Sequence, residues 1–410
     1  MSRVVTAPRQ ARGVLEALKS AFFRSFFRLL LGFIAVAEWA CLVWILRLAG
    51  VHPPLAVHVV APLAIYLVNR TIARRPRRMP GTRPRFADAA IRLYVPFAFG
   101  SIFCGLFLGA AGLVALAGRL LTPAAFAGML AVPYAWLVHA GFATTAGLLA
   151  WGYVVGPREL AVTRLRIPVR GLPAALDGFR IVQLSDLHIG AHLDLDELAE
   201  HVRRVEALDP DLVCITGDIV DRAETCDAAF PVLGRLRARH GVVATLGNHD
   251  VAAGAEAVTD ALRRLTPFTV LRNARIEIDG LAIAGLDDCG LDWARGVPEH
   301  PALPRLAADA KRPLVVLSHR PDCFPQAAQL GAALMLSGHT HGGQIALPSW
   351  LGRPRRERPR NLAEFISRFD RGRYTDGDAT LYVNRGLGFT GQKIRLFTPR
   401  EIACLELTRA

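Results

Sequence analysis

Residues 180–188 read RIVQLSDLH, an apolar run from Ile181 to Leu184 that breaks at Ser185 and delivers Asp186 and His188 two positions apart. The same pattern recurs four times. Leu212–Thr216 runs into Gly217 and Asp218, and Val242–Leu246 into Gly247, Asn248, His249 and Asp250. Leu314–Leu317 runs into Ser318 and His319, and Ala333–Leu336 into Ser337, Gly338, His339, Thr340 and His341. Each run is four to six residues long and apolar on both faces, which predicts a strand buried in a sandwich core. Amphipathic helical stretches such as Leu195–Leu208 and Asp227–Arg239 lie between the runs. Five buried strands therefore carry His, Asp or Asn to their C-terminal ends, the edge where open α/β sheets bind ligands.

The residue types at that edge specify a chemistry. Asp186 and His188 suit a turn that presents two ligands to one ion, and Asp218 is a carboxylate able to bridge two cations. Asn248 offers a neutral oxygen, while His319, His339 and His341 offer imidazole nitrogens. Seven O and N donors exceed one tetrahedral site and suit two divalent ions of manganese, iron, zinc or magnesium. The seven cysteines are scattered with no CxxC pair, so neither a thiolate zinc site nor a disulfide framework is indicated. Two cations ~3.5–4 Å apart can hold a bridging hydroxide and clamp both oxygens of an in-line phosphoryl displacement.

The blocks Asp186-x-His188, Gly217-Asp218-x-x-Asp221, Gly247-Asn248-His249-Asp250, His319 and Gly338-His339-x-His341, in this order, resemble the signature of the calcineurin-like metallophosphoesterases. The resemblance covers roughly residues 165–410 and implies a four-layer αββα sandwich. It implies that Asp186, His188, Asp218 and His341 bind one metal and that Asp218, Asn248, His319 and His339 bind the second. It further implies that His249 contacts the phosphate and protonates the leaving oxygen, with Asp250 beside it to orient the ring, while Asp221 is structural or sits behind the ligands. The stretch Tyr382–Gly388 looks like the membrane-anchored bacterial branch, which includes hydrolases of UDP-2,3-diacylglucosamine. Ala223 stands where phosphoprotein phosphatases carry Gly, a departure that speaks against a protein substrate. His192, His201, His240 and His300 read as surface or core residues.

Outward from this half the chain changes character. Of its 410 residues, the first 150 hold 16 Lys and Arg against three acids (Glu16, Glu38, Asp88), whereas the remainder holds 33 against 32. The excess charge thus belongs to the hydrophobic half, which points to a membrane and away from a nucleic-acid partner. Apolar stretches run about Leu29–Leu48, Pro54–Asn69, Leu93–Gly118 and Ala124–Val155. The fourth would span ~48 Å at ~1.5 Å per residue, enough for one long or kinked helix, with Pro133 as the kink, or for two short spans. No charge or turn cluster divides it, and four spans is the better reading. Arginines crowd the N-terminal segment, the loop after the second stretch (eight between Arg70 and Arg92) and the segment after the fourth, whereas the other two loops hold Arg47 and Arg119 alone. That alternation predicts a multi-pass protein of the bacterial inner membrane with both ends, and the catalytic domain, in the cytoplasm. The first stretch is too long for a signal peptide and lacks a small-residue cleavage site, so no cleaved leader is expected. Glu38, His58 and His139 are the polar residues at membrane depth, where ionisable groups are often functional, but three scattered residues define no transport pathway.

A second basic region, Arg353–Arg373, carries eight arginines against three acids, with Leu362, Phe365, Ile366 and Phe369 at i, i+3, i+4 and i+7. That spacing predicts an amphipathic helix that either lies on anionic lipid or packs on the sandwich. The sequence thus reads as a membrane domain over 1–156 and a metallophosphoesterase domain over 157–410. The expected activity is hydrolysis of a phosphodiester or pyrophosphate on a substrate held at the cytoplasmic membrane lipids. The rivals are a soluble nucleotide substrate with the helices as a tether, and a non-catalytic sensor. A degenerate sensor should have lost a ligand or His249, and none is missing.

Overall fold

The computed structural model describes residues 9–74, 85–190, 192–288, 298–308, 310, 313–348, 360–365 and 367–410. It divides into two compact units, Met1–Ala150 and Trp151–Ala410.

The first unit is built from long helices, Arg9–Leu48, Leu55–Arg74 and Arg85–Leu121, followed by the run that starts at Pro123. Among the described residues four stretches are long and apolar enough to cross a membrane: Phe27–Leu48, Leu55–Arg74, Leu93–Leu121 and Pro123–Arg158. The fourth is one run, a short helix Pro123–Ala125, a π turn Phe126–Leu130 and a helix Ala131–Val154. The π turn ends just before Pro133, which has no N–H to offer the Met129 carbonyl, so the widened turn absorbs the missing bond. Glu38, His58 and His139 each have partners of their own. Glu38 is buried and accepts hydrogen bonds from Asn69 Nδ2 at 3.4 Å and the Tyr94 hydroxyl at 3.1 Å. His58 accepts from the Trp39 indole at 3.2 Å, and His139 packs on Trp44 with ring centroids 4.7 Å apart.

Among its described residues the second unit has twelve strands in two six-stranded sheets. The first sheet has the order β1 (Leu160–Val169), β12 (Arg400–Arg409), β2 (Arg180–Leu184), β3 (Leu212–Thr216), β4 (Val242–Thr245), β5 (Thr269–Val270). The second has β10 (Gly372–Asp376), β11 (Ala379–Val383), β9 (Ala332–Ser337), β8 (Leu314–Leu317), β7 (Leu281–Gly285), β6 (Ala274–Ile278). The strands β2 to β5 are mutually parallel, as are β7, β8, β9 and β11, while β6 and β10 close the second sheet as antiparallel edges. Residues alternating along the central strands, among them Ile181, Cys214, Val243, Ile283, Val315 and Leu334, form one core between the sheets. The alternate residues Val182, Val213 and Ala244 pack under the helices Leu195–Glu206, Cys226–Leu233 and Asn248–Leu265. On the far side Ala284, Val316 and Met335 pack under Leu303–Ala308 and Phe324–Gln329. Burial on both faces is why the sequence shows near-continuous apolar runs, with Gln183 the buried polar member of β2, and the result is the αββα sandwich.

The predicted amphipathic helix does not form as such. Arg353, Arg355, Arg356, Arg358 and Ile366 lie outside the described residues. The rest holds only a single 3₁₀ turn, Leu362–Phe365, with Leu362 exposed and Phe369 buried edge-on against Phe324 and Tyr374. The physical reason is local competition. The Asn361 side chain accepts the Ala363 N–H at 2.8 Å and donates to Asp370, while Asp370 N donates to the Tyr374 hydroxyl at 3.0 Å. These side-chain bonds replace the helical ladder.

Candidate metal centre

All seven proposed ligands lie where β2, β3, β4, β8 and β9 end. The chain turns abruptly there, and five of the seven adopt left-handed backbone angles: Asp186 (φ 51°), His188 (45°), Asp218 (51°), His339 (71°) and His341 (51°). Such angles in non-glycine residues cost of order 1–3 kcal/mol each and persist where the surroundings hold them for function. The motif glycines make room for this crowding. A Cβ on Gly338 would stand 2.2 Å from Asp186 Oδ2, and one on Gly247 would stand 2.2 Å from Asp218 Oδ1.

Three groups of donors result, two made of the proposed ligands and a third that joins His188 to Asp221 and His249. In the first, His341 Nε2 lies 3.1 Å from His188 Nε2 and 3.4 Å from Asp186 Oδ1. In the second, His319 Nε2 lies 3.3 Å from His339 Nδ1 and 3.1 Å from Asn248 Oδ1. Asp218 Oδ2 sits between them, 3.6 Å from His188 Nε2 and 3.1 Å from His319 Nε2. The other nitrogens of two of these rings are committed elsewhere: His188 Nδ1 is 2.8 Å from Asp221 Oδ1, and His319 Nδ1 is 2.8 Å from the Thr216 carbonyl, whereas the buried His341 Nδ1 has no hydrogen-bond partner among the described residues. Each Nδ1–H donated outward leaves Nε2 as a lone pair aimed inward, the arrangement that metal-binding histidines show.

The donor set fits two divalent cations. Imidazole nitrogens facing one another at 3.1 and 3.3 Å share at most one proton per pair, and a cation between them satisfies both lone pairs. The electrostatics agree. Burial disfavours charge on His188 and His319, yet Asp221 and Asp218 around the first, and Asp218 and Asp186 around the second, lift their pKa values to about 9 and about 10. Burial would raise the pKa of Asp218, but His319 and His188 drive it well below the usual carboxylate range. The pocket is thus built to stabilise positive charge at its centre. His341 is the exception: burial and the charge of His188 hold its pKa well below the ordinary value, so it stays a neutral donor.

His249 is more open than His188, His319 and His341 and, like His339, only half-buried. Its side chain is 38% exposed where those of His188 and His319 are fully buried, and its backbone N–H donates to Asp218 Oδ1 at 2.8 Å. Its ring is held by Asp221 Oδ1 at 2.8 Å from Nδ1, the same oxygen that holds His188. The sequence assigned that orienting role to Asp250, and the structure corrects it. Asp250 is fully buried, accepting the N–H groups of Gly247 (2.9 Å), Ile219 (3.0 Å) and Val220 (3.0 Å). Burial and then the charge of Asp218 raise its pKa to about 6. Asp250 therefore fixes the β3 and β4 loops against one another and stays away from the His249 ring.

Sequence reasoning missed a third layer behind the ligands. Asn384 is buried, with its side chain accepting the Gly386 N–H at 2.7 Å. Gly388 N donates to the Asp186 carbonyl at 2.7 Å. Arg400, also buried, donates to His201 Nε2 at 2.6 Å and to the Pro157 carbonyl at 3.0 Å, and His201 stays neutral, its pKa lowered to about 3 by burial and then by Arg400. The run Asn384-Arg385-Gly386-Leu387-Gly388 was the available signal, but the arginines carried none in a chain with 46 of them.

Comparison with known proteins agrees with this geometry. Residues 179–343 match the calcineurin-like phosphoesterase family. The metallophosphoesterase YkuE of Bacillus subtilis is 33% identical over 276 residues, covering 65% of this chain and 92% of that one. A transmembrane protein with metallophosphoesterase domain from Danio rerio is 32% identical over 282 residues, but the match spans only 61% of its length. The UDP-2,3-diacylglucosamine pyrophosphatase LpxG of Chlamydia muridarum is 30% identical over 319 residues, 62% of this chain and 91% of that one. With the five motif blocks folded into one pocket at the strand ends, the chain belongs to the calcineurin-like metallophosphoesterase family and carries a metal-dependent phosphoester hydrolase behind four apolar helices.

Proposed function

We propose that the chain hydrolyses a phosphodiester or pyrophosphate of a lipid-linked substrate, at a two-cation centre facing the cytoplasm at the bacterial inner membrane. The observation that carries the two-cation part is the position of Asp218 Oδ2, 3.6 Å from His188 Nε2 and 3.1 Å from His319 Nε2. Asp186, His188, Asp218 and His341 would hold one ion, and Asp218, Asn248, His319 and His339 the other. Divalent cations there supply Lewis acidity at the phosphoryl oxygens and lower the pKa of an attacking water. The chain's own residues do the rest. Asp221 accepts the Nδ1–H and so orients the His249 ring, and the ring carrying a second proton on Nε2 would deliver that proton to the departing oxygen and be left as the neutral Nδ1–H imidazole.

The lipid-linked part is supported by three findings. Four stretches can cross a membrane, a relative at 30% identity is named for a diacylated UDP-sugar, and the sandwich exposes large apolar side chains beside basic ones. Leu347, Leu362 and Phe397 are 45%, 40% and 39% exposed on three backbone-linked segments, joined by Leu347 N to Arg360 O and Ala346 N to Leu396 O, with Arg360 exposed among them. Apolar and arginine side chains presented together suit an anionic lipid surface.

The substrate class is tested by assaying the detergent-solubilised chain with Mn²⁺ on a diacylated UDP-sugar, its deacylated counterpart and a cyclic nucleotide. Burying three or four acyl methylenes at ~0.8 kcal/mol each gives the acylated substrate an advantage of about 10²-fold in kcat/KM. Equal or better hydrolysis of the soluble compounds would leave the helices as a tether. Orientation follows from the arginine-rich segments: a reporter fused after Ala410 should read as cytoplasmic and one near Val51 or Thr122 as external. A C-terminus found outside would reject this orientation.

A further inference from the structure

Arg395 is 1% exposed and lies directly behind the first donor group. Its Nη1 donates to the His341 carbonyl at 2.8 Å, and its Nη2 to the carbonyls of Gly388 at 2.8 Å and Gly386 at 3.2 Å. Among the described residues it makes no ion pair. A buried guanidinium is costly, and this one spends its charge on main-chain carbonyls of two loops. One loop carries His341. The other props Asp186: Gly388 N donates to the Asp186 carbonyl at 2.7 Å, and a Cβ on Gly386 would meet Asp186 Cβ at 2.8 Å and His341 Nδ1 at 3.3 Å. A single side chain therefore clamps the backbone under two ligands of the Asp186, His188, His341 group. None of its hydrogen bonds reaches Asp218, His319 or His339.

The backbone of Arg395 is itself held. Its N–H donates to the Gly152 carbonyl at 2.9 Å. A Cβ on Gly156 would stand 1.7 Å from the Arg395 carbonyl oxygen, so the turn that ends the helix Ala131–Val154 closes on Arg395 with no space for a side chain.

We propose that Arg395 is a positioning residue for the cation site of Asp186, His188 and His341 alone, and that the close approach of Gly156 fixes Arg395 in place. The inference rests on the two-cation reading. It assigns a site-specific role to a residue that touches neither substrate nor cation.

The test is Mn²⁺ titration of the full chain in detergent, followed by the electron paramagnetic resonance signal of the free ion. This readout counts sites and affinities without turnover. The wild-type chain is expected to bind two ions. Arg395→Met should bind one ion as the wild type does and the other about 10–100-fold more weakly, the usual cost of losing a group that orients a ligand. Excess Mn²⁺ should then restore hydrolysis, which it cannot do for a chain damaged in a general way. Arg395→Lys, retaining the charge and part of the bonding, should fall between. Should Arg395→Met fail to fold, Gly156→Ala, which displaces the Arg395 backbone and leaves the guanidinium intact, should weaken the same single site. Two unaltered sites in either folded variant, or two sites weakened alike, would overturn the proposal. A wild-type chain binding fewer than two ions would overturn the two-cation reading, and this inference with it.

Discussion

Asp218→Asn is expected to lower turnover by at least ~10³-fold and to weaken both cation sites together, because two-metal clamping supplies several kcal/mol of barrier reduction. Asp218 is 2% exposed, and its Oδ2 stands between His188 Nε2 and His319 Nε2 at 3.6 and 3.1 Å. Asparagine preserves the volume, and its carbonyl still accepts the His249 N–H that Asp218 Oδ1 accepts at 2.8 Å, so the loops should keep their places. What is lost is the negative charge shared by two cations. A loss of ~10³ corresponds to about 4 kcal/mol at ~1.4 kcal/mol per decade. The measurement is kcat together with bound cation per chain. Near-normal values of both would remove Asp218 from its bridging position.

His249→Ala should leave both cations bound and still cut hydrolysis of alkyl esters by about 10²–10⁴-fold, the range for a lost acid–base group. The His249 ring is partly exposed, hydrogen-bonded to Asp221 at 2.8 Å and set edge-on against the His188 ring with centroids 4.6 Å apart. Esters of an activated phenol need less protonation of the leaving oxygen and should lose less. Rates on two substrates of different leaving-group pKa, with cation content measured in parallel, decide the matter. Equal losses on both substrates would reduce His249 to a phosphate-binding group, and loss of cation would make it a ligand.

The donor residues were legible in the sequence because each follows an apolar run too uniform to be anything but a strand buried on both faces, so Asp186, Asp218, Asn248, His319 and His339 had to emerge at one edge. The partner of His249 was not legible. Asp250 is its neighbour in sequence, but in the first turn of the helix Asn248–Leu265 its carboxylate turns back to the N–H groups of Gly247, Ile219 and Val220. Asp221 is 28 residues away and arrives only because β3 and β4 are parallel neighbours whose loops share an edge. The segment after His341 misled for a related reason. Helical spacing of Leu362, Phe365, Ile366 and Phe369 was real, but the Asn361 side chain and the Tyr374 hydroxyl took up backbone N–H groups locally, a competition that apolar periodicity does not register. Arg395 and Arg400 were invisible for want of contrast. Nothing in the order of residues separates a buried arginine that binds carbonyls from the exposed ones around it.

The two-cation centre is the claim on which the rest depends, and chelation with stepwise reconstitution tests it most directly. The chain is stripped with a chelator, Mn²⁺ is added back in sub-stoichiometric steps, and hydrolysis of bis(4-nitrophenyl) phosphate is followed at each step. The two groups of proposed ligands among the three donor groups, joined by Asp218, predict no hydrolysis in the stripped chain and activity that keeps rising until the second equivalent is bound. Hydrolysis that survives stripping, or that saturates at one equivalent, would contradict it.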